Sequence, residues 1–193
     1  KEQVPVDGCE GCRAEAGFLA VWEKLRPSVV GALGEIGCDV GGSPAGRPAS
    51  SVYVTGHSMG AAVGTLAMFA LRRLGFHVVP GYFFESPKVA NGAFAREFDR
   101  AFRTLLGPQL WSVTHAMDPV PDVPPAMLGY EHVGSEVHVN ETGHFHVCRG
   151  PDDPECASDL ARDLRHIGDH CRSPLTPTGR ICGCYGPVGE LIV

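Results

Sequence analysis

The stretch Val52-Tyr53-Val54-Thr55-Gly56-His57-Ser58-Met59-Gly60-Ala61-Ala62 decides the fold. An apolar, β-branched run leads into Gly-x-Ser-x-Gly, and an alanine-rich, helix-prone segment follows at once. That order predicts strand, sharp turn and helix, with Ser58 at the apex. Such a turn holds the serine in a strained backbone conformation, so that its hydroxyl projects clear of the sheet. Gly56 and Gly60 are both expected to be required, because strand and helix come so close that a Cβ would collide. The start of the helix points free N–H groups at the serine, where an oxyanion would form. Ser58 is therefore the candidate nucleophile, set against the plainer reading of a structural turn.

Working outward, strand and helix alternate. Ala14 to Ile36 reads as an amphipathic helix on Phe18, Val21, Trp22, Leu25, Val29, Val30 and Leu33, with a kink or break at Pro27. Val4 to Cys12 reads as irregular, and Gly41 to Ser50, rich in Gly, Pro, Ser and Ala, as a surface loop. Buried strands are expected over Ser51–Thr55, His77–Phe84 and Gln109–His115, and helices over Ser58–Leu74 and Asn91–Leu106. The alternation predicts an α/β fold, a mostly parallel sheet flanked by helices, with right-handed crossovers. Val133 to Asn140 alternates like an edge strand, and Ala157 to Ile167 reads as a short helix after a loop from Pro151 to Cys156. Neither an internal repeat nor a second domain is visible, so residues 1–193 are expected to form a single domain.

The chain has 193 residues, 44% apolar and 20% charged, which describes a globular protein with a sizeable core. A formal charge of −6 and the lack of any Lys/Arg cluster argue against nucleic-acid binding. No run is long and apolar enough to suggest a transmembrane helix. The eight cysteines, at positions 9, 12, 38, 148, 156, 171, 182 and 184, suit disulfides in a secreted protein. The rival reading is zinc, but only Cys9-x-x-Cys12 has the spacing of a structural knuckle. His144, His146 and Cys148 would share one face of an extended segment, which reads as a solvated histidine edge ahead of a metal site. Pairing of Cys9 or Cys12 with Cys182 or Cys184 would tie the two ends together. No metal and no cofactor is expected.

A serine nucleophile needs a histidine base, and the base needs a carboxylate to orient it. On this fold class the chain order is Ser, then Asp or Glu, then His, which sets aside His57, His77 and His115. Asp118 leads for the acid because it follows a predicted strand and heads a Pro-rich loop, with Asp122 as runner-up. For the base, His132, His138, His144, His146, His166 and His170 remain. Met59, the residue after the nucleophile, supplies a backbone N–H for the oxyanion hole.

Several blocks, in order and at similar spacing, resemble the fungal-type (class 3) lipases of the α/β-hydrolase superfamily. Thr55-Gly56-His57-Ser58-Met59-Gly60-Ala61-Ala62 is similar to their Thr-Gly-His-Ser-Leu-Gly-Gly-Ala elbow. Ala16-Gly17-Phe18 resembles their His-x-Gly-Phe segment, and Glu85-Ser86-Pro87-Lys88-Val89-Ala90-Asn91 their Gly-Ser-Pro-Arg-Val-Gly-Asn loop. Asp118-Pro119-Val120-Pro121, with Pro124-Pro125 and Gly129-Tyr130, resembles Asp-Ile-Val-Pro, Leu-Pro-Pro and Gly-Tyr/Phe, and Asp169-His170 resembles the closing Asp-His. The resemblance implies an α/β-hydrolase fold and a Ser58, Asp118, His170 triad; His166, one turn earlier on the same segment, is the alternative base. It also implies a disulfide between Cys148 and Cys156, which would staple a short Pro-rich loop. Departures stand at Glu15-Ala16, at Glu85, and after His170, where Cys171-Arg172-Ser173-Pro174 replaces the usual aromatics. In the family a second oxyanion donor and a lid helix come from a segment upstream of the His-x-Gly-Phe block, which this sequence does not include. A domain truncated at its N-terminus, with an exposed sheet edge, is the corresponding expectation.

These readings converge on a secreted serine esterase or lipase acting on carboxylic esters, acylglycerol lipids among them, with transient contact at a lipid interface. Two rivals accompany it: a degenerate lipase-like domain that binds without turnover, and an acyltransferase using the same triad.

Overall fold

The structure, a computed structural model, describes residues 2–38, 40, 50–102, 110–149, 153, 155–156, 164–172, 184–185 and 191–192. Gln3–Pro5 (β1) and Arg13–Glu15 (β2) form an antiparallel pair, and Ala16–Glu35 (α1) follows directly. Thr55–His57 (β3), Met59–Arg73 (α2) and Gly81–Phe84 (β4) make the first crossover, ahead of Ala90–Asn91 (β5) and Gly92–Phe102 (α3). Leu110–His115 (β6), Tyr130–Glu131 (β7), Ser135–Val139 (β8) and Phe145–Val147 (β9) come next. Cys184–Tyr185 (β10) and Leu191–Ile192 (β11) pair with each other.

The main sheet runs β3-β4-β6-β8-β9, parallel through β8, with β9 antiparallel at its edge. Thr55 pairs with Tyr82, and Gly81 with Leu110, so β3, β4 and β6 end side by side where Ser58, Ser86 and Asp118 follow. This is the α/β architecture expected from the alternation of elements. Helix α2 supplies much of the core: Ala61, Ala62, Met68 and Phe69 are buried on it, and Phe83 of the sheet is buried in the same cluster. From α3, Phe94, Phe98 and Phe102 join Phe69 in an aromatic cluster with ring centroids 4.6–6.2 Å apart. Asn91 starts that helix by accepting the Phe94 N–H at 3.1 Å.

Several expectations need correction. Helix α1 runs unbroken through Pro27, and only Phe18 and Trp22 of its expected apolar face are buried; Val21 and Leu25 are exposed. Its start is set by Glu15, whose carboxylate accepts the Phe18 N–H at 2.9 Å. The first predicted strand lies too early: regular pairing covers Thr55–His57, and Val52 makes only an isolated bridge to Val78. Pro80, lacking an N–H, separates that bridge from β4. The predicted edge strand Val133–Asn140 is an inner strand, because the turn at Asn140–His144 folds β9 back onto β8. Asn140 holds that turn by accepting from the N–H groups of Thr142 and His144, each at 3.0 Å.

The region read as irregular, Val4–Cys12, contributes β1 to a second sheet of order β1-β2-β5-β7. There Cys9 bonds to Cys12 and not to the far end of the chain. Gly11 (φ 71°) lies between the two cysteines, in the tight turn that leaves their Cα atoms 5.3 Å apart. Cys148 pairs with Cys156 as the resemblance implies, and Cys171 is also disulfide-bonded, while Cys38 has no disulfide partner. Residues 41–49, 103–109 and 157–163, and with them most of the expected loop and helix there, lie outside the described residues, as do the side chains of Cys182 and Cys184. Among the described residues, no helix is long and apolar enough to cross a membrane.

The contrast between α3 and α1 is testable. Phe98→Ala, at a fully buried ring, should lower the unfolding free energy by about 3–5 kcal/mol. Leu25→Ala, on the uncovered face of α1, should change it by no more than about 0.5 kcal/mol. Urea unfolding of the two variants checks this.

Candidate active site

Gly56 determines how the elbow closes. A Cβ built there would stand 2.5 Å from the Gly60 carbonyl oxygen and 2.7 Å from the Ala61 nitrogen, so only glycine lets β3 and α2 pass. At Gly60 a Cβ meets nothing within 4 Å, which corrects the expectation that both glycines are needed for space. Between them Ser58 adopts φ 57° and ψ −129°, a conformation that costs a non-glycine residue about 1–3 kcal/mol. Its N–H donates to the Phe84 carbonyl at 2.9 Å, tying the apex to β4. Its carbonyl accepts from Ala61 and Ala62 at 2.9 and 3.1 Å. Met59 opens α2, so its N–H is one of the donors that a helix start leaves without an intrahelical acceptor.

The serine hydroxyl lies 2.7 Å from His170 Nε2, and His170 Nδ1 lies 2.7 Å from Asp118 Oδ2. Asp118 is fully buried, and its Oδ1 accepts the Val120 N–H at 2.9 Å. A carboxylate held this way keeps the proton on Nδ1 and leaves Nε2 to accept from the serine. Asp118, His170 and Ser58 thus form one continuous hydrogen-bonded chain.

The runners-up lie elsewhere. Asp122 is buried in the short turn that follows, where the Lys88 ammonium donates to the carbonyls of Pro121 and Asp122 at 3.3 and 3.2 Å. His166 is half-exposed, with Nδ1 3.8 Å from Asp169 Oδ2. Of the histidine edge, His144 is exposed as expected, whereas His138 and His146 are only half-exposed. His138 shares a hydrogen bond with Thr114 at 3.0 Å, and His146 Nε2 donates to Asp153 Oδ2 at 3.0 Å. Ligand-type atoms of His146, Asp153 and Cys156 cluster within 4.8 Å, but Cys156 is oxidised to Cys148 and has no thiolate to offer a metal.

Residue order misses two side chains near the base. His57 Nε2 lies 2.9 Å from the His170 carbonyl oxygen, and His115 Nδ1 lies 3.3 Å from the Asp169 carbonyl oxygen. The available signal was position alone, since His57 lies inside the elbow block and His115 ends the strand before Asp118.

Sheet order, elbow and hydrogen-bonded chain together define an α/β-hydrolase. A family profile described as lipase (class 3) matches residues 1–128, and the chain belongs to that family. It is 38% identical over 139 residues to a secreted mono- and diacylglycerol lipase A of Penicillium cyclopium, an alignment covering 72% of this chain and 41% of that one. A secreted mono- and diacylglycerol lipase of Malassezia restricta is 30% identical over 189 residues, 93% of this chain and 55% of its own length. Among solved structures, a mono- and diacylglycerol lipase from Aspergillus oryzae superposes with a TM-score of 0.72 at 27% identity, over 88% of this chain and 62% of that one. A variant of the Penicillium cyclopium protein gives 0.71 at 29% identity, over 88% and 61%. The chain therefore spans about 41% of the length of the Penicillium relative.

Two outcomes follow from the geometry. Gly56→Ala should destabilise the protein by about 1–3 kcal/mol through the backbone clash, whereas Gly60→Ala should be neutral or stabilising by up to about 1 kcal/mol, both read from thermal melts. The second concerns Asp153, whose pKa falls from 3.8 to about 2, first through the His146 hydrogen bond and then through the N–H groups of Arg149 and Glu155. A depressed folded pKa means the His146–Asp153 link is intact above the ordinary carboxylate range and is lost as pH falls through about 2. In His146→Ala, the Asp153 midpoint followed by NMR should move back toward 3.8.

Proposed function

We propose that the chain is a carboxylic ester hydrolase domain, residues 1–193, with Ser58 as nucleophile, His170 as general base and Asp118 as its orienting carboxylate. The observation that carries this reading is the Asp118–His170–Ser58 hydrogen-bond chain, with both links at 2.7 Å. Ser58 Oγ attacks the ester carbonyl carbon while His170 Nε2 takes the hydroxyl proton, and the oxyanion draws on the Met59 N–H. The tetrahedral intermediate collapses with loss of the alcohol, which receives that proton from His170. Water, deprotonated by the same imidazole, then releases the acid and restores Ser58. Every proton in the cycle passes through the chain's own residues, so no cofactor enters.

Acylglycerols are the proposed substrate class. The relatives' names supply that chemistry, and the surroundings of the triad suit it. Met59, Met117 and Ile167, within three residues of Ser58, Asp118 and His170 respectively, are all exposed. Such apolar side chains favour an ester carried in a lipid surface over a charged soluble one, and with the net charge of −6 they offer nothing to a nucleic acid. The disulfides and the relatives described as secreted support an extracellular location.

Ser58→Ala, Asp118→Ala and His170→Ala should each reduce p-nitrophenyl butyrate hydrolysis by about 10³-fold or more while the fold is retained, and their effects should not add. His166→Ala should stay close to the parent rate. Full turnover in Ser58→Ala, or loss in His166→Ala with retention in His170→Ala, would refute the assignment. An intact, folded domain without esterase activity would instead favour the binding-only reading.

A further inference from the structure

The base is gripped at both ends by consecutive residues of the elbow. Ser58 Oγ meets the ring of His170 at Nε2, and the preceding residue, His57, meets the main-chain carbonyl of His170 at 2.9 Å. A carbonyl oxygen only accepts, so the His57 ring carries its proton on Nε2. The two imidazoles lie face to face at a tilt of 37°, with centroids 4.6 Å apart. The residue carrying the base belongs to a short 3-10 segment, Leu164–Cys171, which ends at a disulfide-bonded cysteine and makes two further hydrogen bonds beside His170. His115 Nδ1 donates to the Asp169 carbonyl at 3.3 Å, and the Met117 N–H donates to Asp169 Oδ2 at 3.4 Å.

We propose that His57 is a positioning residue: its Nε2–H anchors the His170 backbone and thereby sets the distance between Ser58 Oγ and the base. This rests on the triad reading above. Because His57 and Ser58 are adjacent in one strained turn, the nucleophile and the anchor of its base move as a single rigid unit. A shift of the 169–170 turn would otherwise change the Ser58–His170 contact directly, and small misplacements of a catalytic pair are costly in rate. The charged and titratable groups coupled to His57 are His170 and Asp118. Burial holds the His57 imidazole below its ordinary pKa, against the carbonyl bond to His170, which raises it. His57 is therefore neutral at pH 7 and adds no positive charge beside the imidazolium that His170 becomes during turnover.

The test compares His57→Gln, whose amide N–H reaches the position of Nε2, with His57→Met, of similar length but without a donor. His57→Met should lower kcat for p-nitrophenyl butyrate about tenfold with KM unchanged, and His57→Gln should recover most of that loss. The downfield proton resonance of the His170 Nδ1–H···Asp118 bond should persist in wild type and His57→Gln and broaden or vanish in His57→Met. Equal turnover in the Met and Gln variants, or the same downfield resonance in both, would overturn the proposal. Should His57→Met fail to fold, the 15N shifts of the wild-type His57 ring decide, since a proton on Nδ1 in place of Nε2 would equally overturn it. A wild-type protein that hydrolyses no ester but carries the Nε2–H tautomer would refute the hydrolase reading while leaving the anchor in place.

Discussion

The backbones of β3 and α2 pass so close at Gly56 that one added methyl group would collide with the peptide unit between Gly60 and Ala61. That contact leaves the chain one way round the corner, through a positive φ at Ser58. The neighbouring strands end in a related manner. Glu85 follows β4 with φ 51°, and Ala116 follows β6 with φ 47°. Three parallel strands side by side thus each turn out of the sheet through a left-handed residue that carries a Cβ. Each such residue costs about 1–3 kcal/mol, and that cost is borne by the buried core behind the edge, above all by α2 and the phenylalanine cluster. Position 85, where the resembling family has glycine, is one of these left-handed sites, which explains why glycine suits that position.

What lies beyond the strand ends is held in place mostly by backbone atoms. Lys88 ties the turn after Asp118 by two carbonyls, Val120 donates its N–H to Asp118, and His57 and His115 hold the carbonyls of His170 and Asp169. Main-chain anchors of this kind restrict where a side chain starts from, so the ring of His170 needs little further ordering to sit between Asp118 and Ser58. Preorganisation of this sort is what makes a weak nucleophile and a weak base work as a unit.

Much of this was legible in the residues because the elbow is a local feature. The elbow falls within about a dozen residues, α2 is legible as an alanine-rich segment directly after it, and the apolar pattern of α3 has a clear helical period. The candidate acid and base are less legible. They lie 60 and 112 positions from Ser58, and residue order alone left two aspartates and six histidines open; the family resemblance narrowed them. The second sheet was invisible because its strands are two or three residues long, too short for period-two alternation to register. The inner placement of β8 depends on a hairpin set by one asparagine side chain, and the Cys9–Cys12 bond on a tight turn through Gly11 at positive φ. His57 and His115 precede Asp118 in the chain, which sets them aside as candidate bases, yet both are hydrogen-bonded to main-chain carbonyls of the segment that carries His170.

We propose that Ser58 is activated by the hydrogen-bonded groups behind it, His170 and Asp118. The most direct measurement is mass-spectrometric mapping of the adduct formed with a fluorophosphonate probe at neutral pH. One covalent modification per chain is expected, on the peptide containing Ser58, formed quickly in the native protein and lost on unfolding before labelling. Labelling at another serine, or no adduct on a folded protein whose Asp118–His170 bond is detectable by NMR, would contradict it.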